Sequence, residues 1–237
     1  MSLIGFFRIS IRGAGTLLFA VFVLSSCQNK SDQHENHRVV SERSNDTLTQ
    51  QVSEGGSEDR TIWQKPYEVI DLLGPIEDKI VADIGAGSGY FSFKLLRKAA
   101  RVIAIDIEPG LIDLMNEEKS SYKTEMQIRF EARLAKPNDP MLRPKEVDIV
   151  FFSNTYSYLQ NRVSYLKNLR NKFQSGGKVM IVDFKKKITS IGPDLDQRLA
   201  QGEVEKELLD AGYQILLSDD TTLRYQYIII ASIEGNK

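Results

Sequence analysis

Three glycines set two residues apart, Gly85, Gly87 and Gly89, follow the apolar stretch Lys79-Ile80-Val81-Ala82-Asp83-Ile84 and precede Tyr90-Phe91-Ser92-Phe93-Lys94-Leu95-Leu96. A short Val/Ile/Ala run bounded by glycine reads as a buried strand, and the residues after the loop read as a helix. That join is where open α/β sheets hold ligands. Glycine lets the backbone turn tightly and approach a ligand without side-chain interference.

The spacing narrows the ligand. A dinucleotide site spaces its glycines GxGxxG, so that a pyrophosphate rests on the helix N-terminus. Here the pattern is GxGxG, and Tyr90 holds the dinucleotide site's last glycine position. A P-loop needs Gly-Lys-Ser/Thr, which is absent. Asp106 closes the next apolar stretch, Arg101-Val102-Ile103-Ala104-Ile105-Asp106, about twenty residues beyond Gly85. A carboxylate there suits hydrogen bonds from ribose hydroxyls.

The rest of the domain alternates in the same way. A helix is expected over Trp63 to Leu73 with Pro66 in its first turn, and another over Leu111 to Lys119. Gln127 to Phe130 reads as a short third strand, Val147 to Phe152 as the fourth, and Lys178 to Val182 as the fifth. Helices are expected over Val163 to Phe173 and Val204 to Ala211. Two final strands, Gln214 to Leu217 and Tyr225 to Ser232, have no helix between them and should form an antiparallel hairpin. The fold class is therefore α/β, a Rossmann-like doubly wound sheet of seven strands, mostly parallel, occupying residues 61–237.

Val81-Ala82-Asp83-Ile84-Gly85-Ala86-Gly87-Ser88-Gly89-Tyr90-Phe91 resembles motif I of class I S-adenosylmethionine-dependent methyltransferases. Ser175-Gly176-Gly177-Lys178 resembles that family's Pro-Gly-Gly turn into strand five, with Ser175 in place of the proline. Leu208-Leu209-Asp210-Ala211-Gly212-Tyr213 resembles its approach to strand six, and Trp63-Gln64-Lys65-Pro66 the entry helix of a small-molecule subgroup. The resemblance implies S-adenosylmethionine as cofactor. Its contacts would be Asp83, Gly85, Ala86, Gly87, Gly89, Asp106 and Ile107, with Asp83 organising the loop and Asp106 taking the ribose.

Methyl transfer from a sulfonium is an in-line displacement, so positioning can supply most of the catalysis. Acceptor-side groups belong at the carboxyl ends of strands four and five. Those ends carry Ser153-Asn154-Thr155-Tyr156-Ser157-Tyr158 and Asp183. Asn154 and Tyr156 are the expected positioning groups and Asp183 the expected proton acceptor. No proline follows Asn154, unlike the Asn/Asp-Pro-Pro-Tyr box of DNA and protein-amide methyltransferases. Close-looking relatives carry Tyr-His-His where this chain has Tyr156-Ser157-Tyr158. Glu131 stands after strand three without the family's Gly-Asp-Ala setting, and Lys185-Lys186-Lys187 reads as a solvated loop.

The expected acceptor is a small or lipid-like molecule. A net charge of −1 gives no general reason to bind nucleic acid. The chain holds one cysteine and two histidines, so no thiolate metal cluster is expected, and oligomeric state is not readable. Residues 1–26 read as an export signal, with Arg8 and Arg12 ahead of the apolar run Leu17 to Leu24, far short of the roughly 20 residues that span a bilayer. Leu24-Ser25-Ser26-Cys27 resembles a bacterial lipobox, which implies a lipid anchor on Cys27 and a place at the membrane of the cell envelope. Residues 27–60 are polar and read as a tether on the order of 30 Å long, with His34 and His37 as solvated linker residues. Export leaves a competing reading open: a binding or scaffold lipoprotein that keeps the methyltransferase fold without catalysis.

Overall fold

The computed structural model describes residues 59–233; Cys27 and the segments expected to be an export signal and a tether, up to residue 58, lie outside the described residues. Seven strands form one sheet in the order β3-β2-β1-β4-β5-β7-β6. They are β1 (Ile80–Ile84), β2 (Arg101–Asp106), β3 (Phe130–Leu134), β4 (Val147–Ser153), β5 (Phe173–Phe184), β6 (Tyr213–Asp219) and β7 (Gln226–Ile233). The first five run parallel, and β7 pairs antiparallel with both β5 and β6. The seven-stranded, mostly parallel sheet with its antiparallel closing pair is the one the alternation of elements predicts.

Successive strand residues point to opposite faces, so each strand feeds two cores. Ala82, Ile84, Ile103, Ile105, Val150, Phe152 and Ile181 pack with Leu166 and Leu169 of α6 (Arg162–Leu169) and with Val204 and Leu208 of α7 (Gln201–Asp210). Val81, Val102, Ala104, Phe151, Met180 and Val182 pack on the other face. There they meet Val69 and Ile70 of α2 (Pro66–Asp71), Leu95 of α3 (Ser92–Leu95) and Met115 of α4 (Pro109–Ser120). The same alternation carries Asp83, Asp106, Phe184 and Gln226 toward this second face, and Asp183 and Tyr227 toward the first.

Three local expectations change. The helix expected over Trp63 to Leu73 is two helices, α1 (Arg60–Gln64) and α2. Proline disfavours helical backbone in the residue before it. Lys65 accordingly sits at φ 45°, ψ 56°, ends α1 and starts α2 with Pro66 in the first turn. Gln127 belongs to a short helix, α5 (Thr124–Gln127), and the third strand begins at Phe130. Its charges hid it: Glu131 pairs with Arg101 and Arg133, and Arg133 with buried Glu146. Finally, α6 stops at Leu169, and strand five starts at Phe173 because the chain tightens into a 3-10 turn over Arg170–Lys172.

Candidate functional site

The glycine loop folds back over β2. Gly85 and Ala86 both donate their N–H to Ile105 O, at 2.8 and 3.0 Å. The Asp106 carboxylate is a hub for the backbone around it. Gly87 N donates to Oδ2 at 2.9 Å, and Ile107 N and Glu108 N donate to Oδ1 at 2.8 and 3.2 Å. Beneath the loop, Asp83 is buried and accepts from Ser92 Oγ at 2.6 Å. Burial pushes its carboxyl up to about 7, helped by the neighbouring Asp106 charge and opposed by Ser92 and Arg60.

Two glycines have separate reasons to be glycine. Gly85 has φ +73°, and a Cβ there would lie 2.2 Å from the Thr155 side chain, whose hydroxyl donates to Gly85 O at 3.2 Å. Gly87 has φ +59°, and a Cβ there would meet nothing within 4 Å. The backbone is thus bare on the outer side of Gly87, as close approach of a ligand requires. Beside it, Ile107 and Leu134 stand about half exposed at the ends of adjacent strands.

Tyr90, in the position where a dinucleotide site has glycine, anchors α1. Its ring lies between the Arg60 guanidinium at 4.1 Å and the Lys94 ammonium at 3.6 Å from the ring centroid. The Tyr90 hydroxyl is 3.3 Å from Thr61 Oγ1. The entry helix therefore closes down on the glycine loop, and Gln64, wholly buried, reaches Ser153 Oγ at 3.2 Å.

Across the sheet, Asn154 turns the chain out of β4 in the left-handed region, with φ 57°; its N–H donates to Val182 O and its Oδ1 accepts from Gln226 Nε2. Asp183 is buried, accepting from Phe184 N at 2.8 Å and from Ser157 N at 3.2 Å. Burial pushes its carboxyl up to about 6 against those two hydrogen bonds. Tyr158 stands more than half exposed, and its hydroxyl is raised by partial burial and by Asp183.

Tyr156 is placed differently from the sequence-based expectation. It is wholly buried against Phe152, and its hydroxyl donates to Glu207 Oε2 at 2.8 Å. Arg162 grips the same Glu207 with two nitrogens. Burial and Glu207 drive the Tyr156 pKa far upward, so the group is a core hydrogen-bond donor. Glu131 is likewise taken up in ion pairs, and the Lys185 ammonium holds Leu223 O at 2.7 Å. Arg198, buried in the segment after β5, donates to Pro193 O, Lys187 O, Ile191 O and Thr189 Oγ1, fixing the wall beside Phe184.

The glycine loop bound to an acid at the end of β2, on a sheet of this order, defines a ligand-binding α/β domain of the nucleotide-handling type. The chain belongs to the methyltransferase domain family, whose model matches residues 77–222. It is 25% identical over 159 residues to malonyl-[acyl-carrier protein] O-methyltransferase 2 of Ilyobacter polytropus, covering 62% of this chain and 59% of that protein. A tRNA U34 carboxymethyltransferase of Mannheimia succiniciproducens is 23% identical over 50% of this chain and 37% of its own length. The chain thus spans less than two thirds of these relatives. A SAM-dependent methyltransferase from Aquifex aeolicus superposes with a TM-score of 0.70 at 22% identity, covering 79% of this chain and 97% of that one, which establishes the shared fold.

Proposed function

We propose that this chain binds S-adenosylmethionine on the glycine loop and Asp106. It would move the methyl group to a small-molecule or lipid-like acceptor held at the carboxyl ends of β4 and β5. The observation that carries the reading is the Asp106 hub. A carboxylate offers about four lone-pair positions. Three here accept backbone amides, which fixes the group and leaves Oδ2 one position for a ribose hydroxyl. Gly87 leaves the space above the loop open, and Ile107 and Leu134 supply apolar surface for a flat base.

The cofactor's contribution when bound is an electrophilic methyl on a sulfonium. The chain's own residues do the rest. Asp83 and Ser92 hold the loop in shape, Thr155 ties the acceptor side to it, Asn154 joins β4 to Val182 and Gln226, and α1 covers the loop through Tyr90. Asp183 takes a proton at its free lone pairs where the acceptor brings one. Calorimetry of the full-length chain with S-adenosylhomocysteine tests the reading: saturable binding supports it, and a folded chain that gives no heat and no thermal shift refutes it.

At the N-terminus, Cys27 is proposed to become the acylated first residue of an envelope lipoprotein. More than one acyl chain gives stable anchoring, at about 0.8 kcal/mol per buried methylene. Mass spectrometry of the native protein should find no peptide from before Cys27, and recovery of an intact Met1 terminus would overturn this.

A further inference from the structure

Among the described residues, two buried polar atoms on the second face of the carboxyl edge have no protein partner: the indole Nε1 of Trp63 on α1 and Oε1 of Gln226 at the start of β7; the third such atom, Tyr227 Oη, points to the opposite face. Trp63 is 7% exposed and Gln226 0%. Phe184 and Gln226 are paired in register, so their side chains leave the sheet on the same side. The Trp63 ring packs on Phe184 with centroids 5.8 Å apart and on Tyr225 at 6.2 Å. Gln226 commits its amide nitrogen to Asn154, which fixes where its oxygen points. One donor and one acceptor are thus left within an apolar wall of Phe184, Ile191 and Tyr225. An unbonded buried group keeps its full desolvation penalty, so two on one wall call for a ligand that bonds both.

We propose that Trp63 and Gln226 read the methyl acceptor, and that it carries a neutral group presenting a hydrogen-bond acceptor beside a donor on a flat apolar body, as an aromatic carboxamide does. The proposal deepens the acceptor side of the methyltransferase reading and rests on it. A carboxylate is disfavoured here, because it brings no donor for Gln226 Oε1. The helix that covers this wall, α1, has only five residues and ends at Lys65 in the left-handed region.

Trp63 is the chain's one tryptophan, so its emission reports on this wall alone. The full-length chain, saturated with S-adenosylhomocysteine, is titrated with benzamide and with benzoate. Benzamide should shift the emission saturably, and benzoate should bind at least about tenfold more weakly, since an anion cannot donate to Gln226. Gln226→Leu should weaken benzamide by about tenfold or more with S-adenosylhomocysteine affinity unchanged. Trp63→Phe, followed by calorimetry, should do the same while keeping the ring. Equal binding of the two probes, or folded variants that bind benzamide like the parent, would overturn the proposal. Failure to bind S-adenosylhomocysteine with the benzamide pattern intact would instead overturn the cofactor reading and leave the Trp63–Gln226 pair standing.

Discussion

The two halves of the sheet's carboxyl edge treat their polar groups in opposite ways. At the ends of β1 and β2, Asp83 and Asp106 are satisfied by Ser92, Gly87, Ile107 and Glu108, partners no more than 19 residues away in the chain. At the ends of β4, β5 and β7 the bonds are long-range, with Gln226 to Asn154 spanning 72 residues and Gln64 to Ser153 spanning 89. Three buried side-chain atoms on that side, Trp63 Nε1, Gln226 Oε1 and Tyr227 Oη, have no partner among the described residues. The cofactor half is a local device built from two consecutive strands and the loops that follow them. The acceptor half is assembled only when the whole domain closes, and it meets the first where Thr155 donates to Gly85 O.

The largest expected effect separates chemistry from binding. With an acceptor in hand, Asp183→Asn should lower turnover by roughly 10²–10⁴-fold and leave S-adenosylhomocysteine affinity nearly unchanged. Because burial holds the Asp183 carboxyl at about 6, it is mostly ionised above that pH, and the parent's rate should rise through about pH 6 and then level. A flat profile, or unaltered turnover in Asp183→Asn, would show that Asp183 only holds the loop. Next come the two glycines, which should behave unequally. Gly85→Ala meets Thr155 and a left-handed backbone together and should destabilise by roughly 2–5 kcal/mol. Gly87→Ala meets only the backbone penalty, about 1–2 kcal/mol, but places a methyl where the ligand approaches. Thermal melts with calorimetry distinguish the two, and equal melting temperatures would contradict the geometry.

Asp106→Ala strands three backbone amides and any ribose hydroxyl, and should weaken S-adenosylhomocysteine by roughly 1–3 kcal/mol. A smaller change is expected from pH. The free domain holds the buried Asp83 carboxyl at about 7, so near neutrality it is partly protonated. A cationic ligand on the loop favours the carboxylate, so binding releases a proton. Affinity for S-adenosylmethionine should therefore fall as pH drops below about 7, by at most about tenfold per unit, and level off above it. Calorimetry in buffers of different ionisation heat measures that proton. The smallest effect is Tyr156→Phe, which removes a core hydrogen bond and should cost about 1 kcal/mol of stability with no change in cofactor affinity. A large loss of turnover with stability intact would return Tyr156 to the acceptor site.

Legibility follows the same division. The glycine spacing, Asp106 and the strand–helix alternation are all written within short windows, and the mostly parallel seven-stranded sheet and its antiparallel close could be read from them, though not the order of its strands. Asp183 and Asn154 could be placed at the ends of strands because strand ends can be located. Thr155, Phe184, Gln226 and Arg198 were not singled out, since nothing within ten residues of any of them says that β7 lies beside β5 or that α1 lands on both. Tyr156 misled for a related reason. A tyrosine after a strand suggests a site, and only α7 folding back with Glu207 turns it into a core residue. The third strand was misjudged because paired charges look solvated until their partners are known.

The most direct test of the central claim is residue-resolved. Backbone amide resonances of the full-length chain should be followed by NMR as S-adenosylhomocysteine is added. The amides of Gly87, Ile107 and Glu108, all bound to Asp106, are expected to shift together, while the side-chain amide of Gln226 and the indole N–H of Trp63 move little. Shifts confined to Trp63 and Gln226, with the Asp106-bound amides unmoved, would contradict it.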